Sequence, residues 1–215
     1  MTAEALKWLA ALTMLIDHAG MLLFPQLPVL RMIGRIAFPI FAYQTAAAVR
    51  FTRSRPRYLG RLAVGALASE LPFRLAVLGG SAAFGLRNVL FTLLIGALCC
   101  MVWDARRQKP ALLALIPLLL AAAELLRCDY GAFGAAAVLL FFALAHSPRW
   151  AAAAGFAGLT WTYCLVRGSL FELPALLALA PVCAANGQPG RRRCKYFFYV
   201  FYPAHLLVLW AIARA

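Results

Sequence analysis

A chain of 215 residues that is 65% hydrophobic and only 13% charged, with a mean hydropathy of +0.83, is too apolar for an ordinary soluble domain, which is nearer half apolar and a quarter charged. Its net charge of +14 does not point to nucleic acid, because the basic residues form no contiguous soluble patch. The six cysteines, Cys99, Cys100, Cys128, Cys164, Cys183 and Cys194, make no CxxC pair and lie mostly in apolar runs, where cysteine acts as a small hydrophobe; neither a metal site nor a disulfide framework is expected.

A membrane-crossing helix needs about 20 apolar residues. Nine stretches read as spans: 5–24, 30–50, 58–78, 88–104, 111–127, 131–146, 149–166, 169–185 and 195–213. Breaker-rich joints separate them, among them FPQLP, RSRPR, GGSAAFG, RRQKP and NGQPG. The expected fold is therefore all-α: a polytopic integral membrane helical bundle of about nine transmembrane helices, forming a single domain over residues 1–215. The first apolar stretch is full length and runs on into a second, so no cleavable signal peptide is expected.

The first two stretches carry the most informative residues. Leu6 to Phe24 holds Asp17 and His18 just past its middle, and the stretch after Pro28 holds Arg31 and Arg35. Folding this hairpin about the Gln26–Leu27 turn brings residue 18 level with 35 and residue 17 level with 36. An acid, a histidine and an arginine then share one depth, where ionisable groups are costly and mark function by default. The structural alternative is a buried ion pair that locks two helices. Gly34, on the face of Arg31 and Arg35, permits close approach of a neighbour, and Pro39 is expected to kink the second helix.

Further along, Glu70 precedes Leu71-Pro72-Phe73, and Asn88, Thr92 and Gly96 share a helix face suited to interhelical hydrogen bonding. Asp129 reads as a helix cap, while Glu124 and Glu172 are expected to reach an interface and receive no role. In the last stretch Tyr199, Tyr202 and His205 recur at steps of three. His205 falls near mid-membrane, which favours a polar centre shared with His18.

Alternating the spans from a cytoplasmic N-terminus places fourteen of the 21 Lys and Arg residues on the inner side and seven on the outer. The positive-inside bias thus predicts an N-terminus in the cytoplasm and, with nine spans, a periplasmic C-terminus. The basic inner rim suits anionic headgroups and also a phosphate-bearing ligand.

The blocks LKWLAALTMLIDHAG, LRMIGRIAFPIFAYQ, TRSRPRYLGRL, SELPF, NVLFTLLIG, DYGAFG and FYPAHLLVL run in order from residue 6 to 209. Together they resemble the TraX family, membrane proteins associated with N-terminal acetylation of F-type pilin and similar to the wider transmembrane acyltransferases. The resemblance implies a bacterial inner-membrane acetyltransferase with acetyl-coenzyme A as donor and no metal. It makes His18 the key membrane-embedded histidine. The acceptor would be a pilin N-terminus or an envelope component such as a glycan. The chain departs from the family pattern at Arg74, after SELPF, and at Gln44 to Val49, which lacks a glycine.

The chemistry can be read onto the residues. Transfer from a thioester needs a general base and groups that stabilise an oxyanion. His18 is the expected base. Asp17, about 100° away on a regular helix, pairs with Arg31 or Arg35, and a residue of another helix orients His18. Arg35, Asn88 or Tyr202 would face the oxyanion, and Arg53 to Arg61, notably Arg57 and Arg61, or Arg191 to Lys195 would hold the coenzyme's phosphates. Arg31 and His205 complete the expected donor-binding set, and His205 is the alternative base. The competing classes are a small proton-coupled transporter or channel built on the same embedded groups, against which the lack of an internal repeat speaks, and a non-catalytic assembly factor that binds a pilin-like helix through its apolar faces.

Overall fold

The computed structural model describes residues 1–80, 84–188, 190 and 197–215. Among these the chain is all-helical, without strands. Its helices are α1 (Ala3–Leu22), α2 (Pro28–Gly34), α3 (Ala37–Phe51), α4 (Arg55–Val77), α5 (Val89–Ala105), α6 (Leu115–Leu125), α7 (Gly131–Ala143), α8 (Arg149–Arg167), α9 (Leu179–Cys183) and α10 (Phe197–Ile212). Short 3-10 helices, Pro110–Ala114 and Leu170–Ala178, lead into α6 and α9. Among the described residues every one of the nine apolar stretches is thus helical, but three are interrupted.

The three interruptions share a cause. Pro39, Pro117 and Pro181 each stand third in α3, α6 and α9. A proline there lacks the N–H that would reach back four residues, and its ring presses on that carbonyl. The acceptors it displaces belong to residues 35, 113 and 177, which fall in or beside the breaks. Pro39 therefore does more than kink the second stretch: it ends α2 and starts α3. Pro72 and Pro203, by contrast, lie inside unbroken helices.

Two stretches, Ala3–Leu22 and Pro28–Phe51 (α2 with α3), are long and apolar enough to cross a membrane. The other apolar helices are shorter, and α4 is diluted by Arg55, Arg57, Arg61, Glu70 and Arg74. The core is mostly apolar, but it also takes in several polar and ionisable side chains, while many large apolar side chains face outward. Asp17, His18, Thr45, Ser69, Asn88, Thr92, Glu172 and His205 are buried, while Leu12, Val29, Phe51, Val64, Leu118, Val166, Val200 and Ile212 are exposed.

The chain forms two compact units interleaved in sequence. The first comprises residues 1–41, 71–82 and 160–215, the second residues 42–70 and 83–159, so the boundaries cut α3, α4 and α8. In the first unit α1 is capped by Thr2, whose hydroxyl accepts the Ala5 N–H at 3.2 Å. The N-terminal residues meet the chain after α9: Ala3 N donates to Gln188 O and Asn186 N to Met1 O. Trp8 packs on Phe197 at the start of α10. The segments expected on the cytoplasmic side thus gather at one end of this unit.

The second unit sorts its ends in the same way. At one end Arg50 donates to Ala145 O and contacts His146, and Arg55 pairs with Asp104 at 2.7 Å. At the other, Leu86 N donates to Leu126 O and the Thr92 hydroxyl to Asp129 O. One face of α5 makes the interhelical links. Asn88 caps α5 and reaches α4, Thr92 reaches the turn before α7, and Gly96 lets α7 approach so closely that a Cβ there would lie 2.6 Å from Val138 Cβ. Asp129 is not the residue that caps α7. That position is Tyr130, in the left-handed region at φ 59°, without a side-chain cap. The Glu124 carboxylate accepts the Ala132 N–H at 3.0 Å instead, which suits the positive end of a helix.

Candidate functional site

The polar centre lies wholly in the first unit and is assembled from four elements. α1 supplies Asp17 and His18, which as adjacent helical residues face different neighbours. Asp17 faces α2. Its Oδ1 accepts from Arg31 Nε at 2.8 Å, and its two carboxylate oxygens accept from Arg35 Nη2 at 2.9 and 2.8 Å. Gly34 makes this possible, because any Cβ at that position would collide with the Asp17 side chain. Gly20 has the same effect a turn further along, where a Cβ would lie 2.6 Å from Leu30 Cβ. Asp17 therefore sits opposite Gly34 and Arg35, a slightly different register from a hairpin folded symmetrically about Gln26–Leu27.

The break between α2 and α3 leaves Arg35 as the C-cap of α2. Its Nε donates to the Arg31 carbonyl at 3.3 Å, an acceptor exposed by the end of that helix. The far side of the guanidinium reaches Glu172 of the 3-10 segment, with Nη1 3.5 Å from Oε2. Its Cζ lies over the Phe171 ring, 5.6 Å from the centroid. The side chains of Arg35, Asp17 and Glu172 are only 12%, 11% and 8% exposed, against 31% for Arg31. Two guanidiniums thus face two carboxylates and the charges balance, the condition under which buried ions are tolerated.

His18 turns the other way, to α10. Its Nδ1 lies 2.7 Å from His205 Nε2, and the rings are nearly parallel with centroids 5.0 Å apart. His205 Nδ1 lies 2.8 Å from the Phe201 carbonyl oxygen one turn earlier, and its ring stacks on Phe201. Tyr202 borders both histidines, 6.3 Å from His18 and 5.7 Å from His205 between centroids. Asp17 and His18 form no dyad; the orienting partner of His18 is the second histidine.

The remaining expected site residues stand elsewhere. Asn88, fully buried in the second unit, gives its amide protons to Ala66 O at 3.0 Å and Glu70 Oε2 at 2.6 Å, and accepts the Leu90 N–H at 3.1 Å. Arg57 and Arg61 lie one turn apart near the start of α4, also in the second unit. Arg57 is exposed, and the buried Arg61 Nε has no hydrogen-bond partner among the described residues. Arg191 to Lys195 lie outside the described residues. Glu172 is the one member of the centre to which the sequence assigned no role. A charge balance calls for a second acid, because two embedded arginines require two anions and Asp17 supplies one, but it does not choose Glu172 over Glu70, Glu124 or Asp129.

This arrangement can hold a neutral imidazole pair beside a charge-balanced cluster, poised for proton transfer. Similarity to known proteins bears on what it is used for. Over 97% of its length the chain is 28% identical to a protein of Dichelobacter nodosus described as a probable fimbrial assembly protein FimC, serogroup H1, covering 94% of that protein. An uncharacterized protein of Rickettsia prowazekii is 50% identical over 40 residues, 19% of this chain and 16% of that protein. No solved structure matches. The TraX protein family matches residues 2–213, a range that contains every residue of the polar centre, and the chain belongs to that family.

Proposed function

We propose that the protein is a multi-pass membrane acetyltransferase that moves an acetyl group from acetyl-coenzyme A to an amine or hydroxyl, with His18 as general base. The observation that carries this reading is the buried centre itself: a histidine pair beside a neutral Asp17–Arg31–Arg35–Glu172 cluster, inside a helical unit whose outward face is apolar. His18 takes the proton of the acceptor as its nitrogen or oxygen bonds to the acetyl carbon. The carbon–sulfur bond then breaks, and His18 returns the proton to the departing sulfur. Tyr202, whose ring borders both histidines, is a candidate donor to the oxyanion. Arg31, although paired with Asp17, is more exposed than Arg35 and is the more accessible cation for an anionic substrate group.

For the donor's phosphates we assign Arg57 and Arg61 on α4. The orphaned buried Nε of Arg61 fits such an anion. The family's association with pilin acetylation and the fimbrial relative support a pilin-like N-terminus as acceptor. The many outward-facing apolar side chains and the sorted ends of both units support a bacterial inner-membrane bundle of about nine spans, with a cytoplasmic N-terminus and a periplasmic C-terminus. Reporter fusions at Lys109 and Gly80 should read cytoplasmic and periplasmic respectively; the reverse pattern would invert the sidedness.

The decisive test is His18→Ala in the full-length, detergent-solubilised protein, with thermal stability measured beside transfer from acetyl-coenzyme A to a synthetic pilin N-terminal peptide. The folded variant should lose ~10²–10⁴-fold in turnover, the scale of a positioned base. Normal turnover in the folded variant would remove His18 as the base. A proton-coupled transporter would draw on the same histidine contact, and would gain no thermal stabilisation from acetyl-coenzyme A.

A further inference from the structure

Two short contacts of His205 determine where the protons of the histidine pair reside. The Phe201 carbonyl can only accept, so His205 Nδ1, 2.8 Å from it, carries the N–H. A neutral imidazole has one N–H, and His205 Nε2 therefore presents a lone pair. His18 Nδ1 lies 2.7 Å from that lone pair and must donate to it. His18 then holds its proton on Nδ1, leaving Nε2 bare. In free histidine the opposite tautomer, with the proton on Nε2, predominates.

We infer that His205 is a positioning residue that locks His18 in the Nδ1–H tautomer, so that Nε2 of His18 is the atom that removes the acceptor's proton. This rests on the reading of His18 as the base. During transfer the acceptor's proton goes to His18 Nε2 as the new bond to the acetyl carbon forms. It leaves again from Nε2 to the sulfur as the carbon–sulfur bond breaks. In between, His18 is an imidazolium whose Nδ1–H still points at the His205 lone pair, a stronger hydrogen bond once the donor is charged.

The neutrality of this partner follows from its surroundings. Asp17 and Glu172 already balance Arg31 and Arg35. A carboxylate at position 205, the usual orienting group for a catalytic histidine, would leave one buried anion unpaired while His18 is neutral. An imidazole supplies the acceptor without the charge. The Phe201 carbonyl and the Phe201 ring, stacked 4.8 Å away between centroids, fix its tautomer and its plane.

The chain has three histidines, which makes the tautomer directly observable. Full-length protein labelled with ¹³C and ¹⁵N in histidine, in detergent micelles, should show His18 protonated on Nδ1 with a bare Nε2; His146→Gln and His18→Ala assign the signals. In His205→Phe, which keeps bulk but removes the acceptor, the His18 signal should move to the Nε2–H form. Turnover should fall ~10- to 10²-fold, a fraction of the factor that a positioned base supplies. His205→Gln places an acceptor oxygen near the former Nε2 and should restore both the His18 signature and most of the turnover. His18 protonated on Nε2 in the unsubstituted protein overturns the lock, whatever the variants do. An unchanged His18 signal in His205→Phe overturns the role of His205. A lock observed together with normal turnover in His18→Ala overturns the base assignment instead, and with it the catalytic use of the lock.

Discussion

In the first unit four charged side chains and two histidines meet among packed helices; in the second the charges lie at the ends. The contrast is clearest in the ion pairs. Arg35 and Asp17 are 12% and 11% exposed, whereas Arg55 and Asp104 are 37% and 45% exposed. The second unit joins α4, α5 and α7 without ions in its middle. It uses one asparagine, one threonine and a glycine on a single face of α5, and packs Ala66, Ile95, Cys99 and Ala135 around them. Helices in this protein can therefore be held together cheaply. A buried ion pair is no better than an apolar contact for stability, so packing alone does not require the charged cluster of the first unit.

Breaking the charge balance should have the largest effect. Arg35→Ala removes the partner shared by Asp17 and Glu172 and leaves buried carboxylates under-compensated, a loss of ~3–5 kcal/mol when one member of a buried pair is deleted. Thermal unfolding in detergent should show it as a steep loss of stability, with Arg35→Lys only partly restoring it because an ammonium cannot span both acids as the planar guanidinium does. A stable Arg35→Ala protein would mean that the cluster is far wetter than its burial indicates, and the contrast between the units would collapse.

A smaller effect is expected in the second unit. Asn88→Ala removes an N-cap, worth ~0.5–2 kcal/mol, and two hydrogen bonds to α4, each worth ~0.6 kcal/mol on average in membranes. Stability should fall by about 2–3 kcal/mol from these contributions, while turnover per folded molecule stays level. Both amide protons of Asn88 are committed to Ala66 and Glu70, so none is left for an oxyanion. Turnover that falls 10²-fold in folded Asn88→Ala, the loss typical of a missing oxyanion donor, would place Asn88 in the chemistry and blur the distinction between the two units.

Much of this architecture was legible in the sequence, and the rest was hidden for physical reasons. The nine apolar stretches are all helical because length and composition leave few alternatives. The hairpin joining Asp17 to Arg31 and Arg35 follows from a four-residue turn. Local events were harder to read. Pro39, Pro117 and Pro181 were visible, but whether a proline bends a helix or divides it depends on what replaces the lost hydrogen bond. Pro72 and Pro203 show the other outcome. Glu124 and Asp129 sit five residues apart beside one turn, and only the geometry of Tyr130 decides which of them meets α7. Glu172 was the real omission: it lies 137 residues from Arg35, a separation that no local pattern bridges. The division into two units, which cuts through three helices, leaves no mark in composition.

The smallest effect tests what the second unit's charges are for. If they serve binding and orientation rather than packing, removing them should leave the fold intact and weaken only the ligand. Arg57→Gln combined with Arg61→Gln is the appropriate pair. Arg57 is exposed, and the Arg61 Nε makes no hydrogen bond among the described residues, so thermal stability should hardly change. Coenzyme A binding should weaken about tenfold at low salt, as expected for one exposed and one half-buried ionic contact of ~0.5–1 kcal/mol each. The difference should shrink as salt is raised, because screening acts on exposed charge first. Affinity that is unchanged at every salt concentration would move the phosphate site off α4. A large loss of stability would show that these arginines are structural after all, and that the second unit also depends on charge to hold its helices.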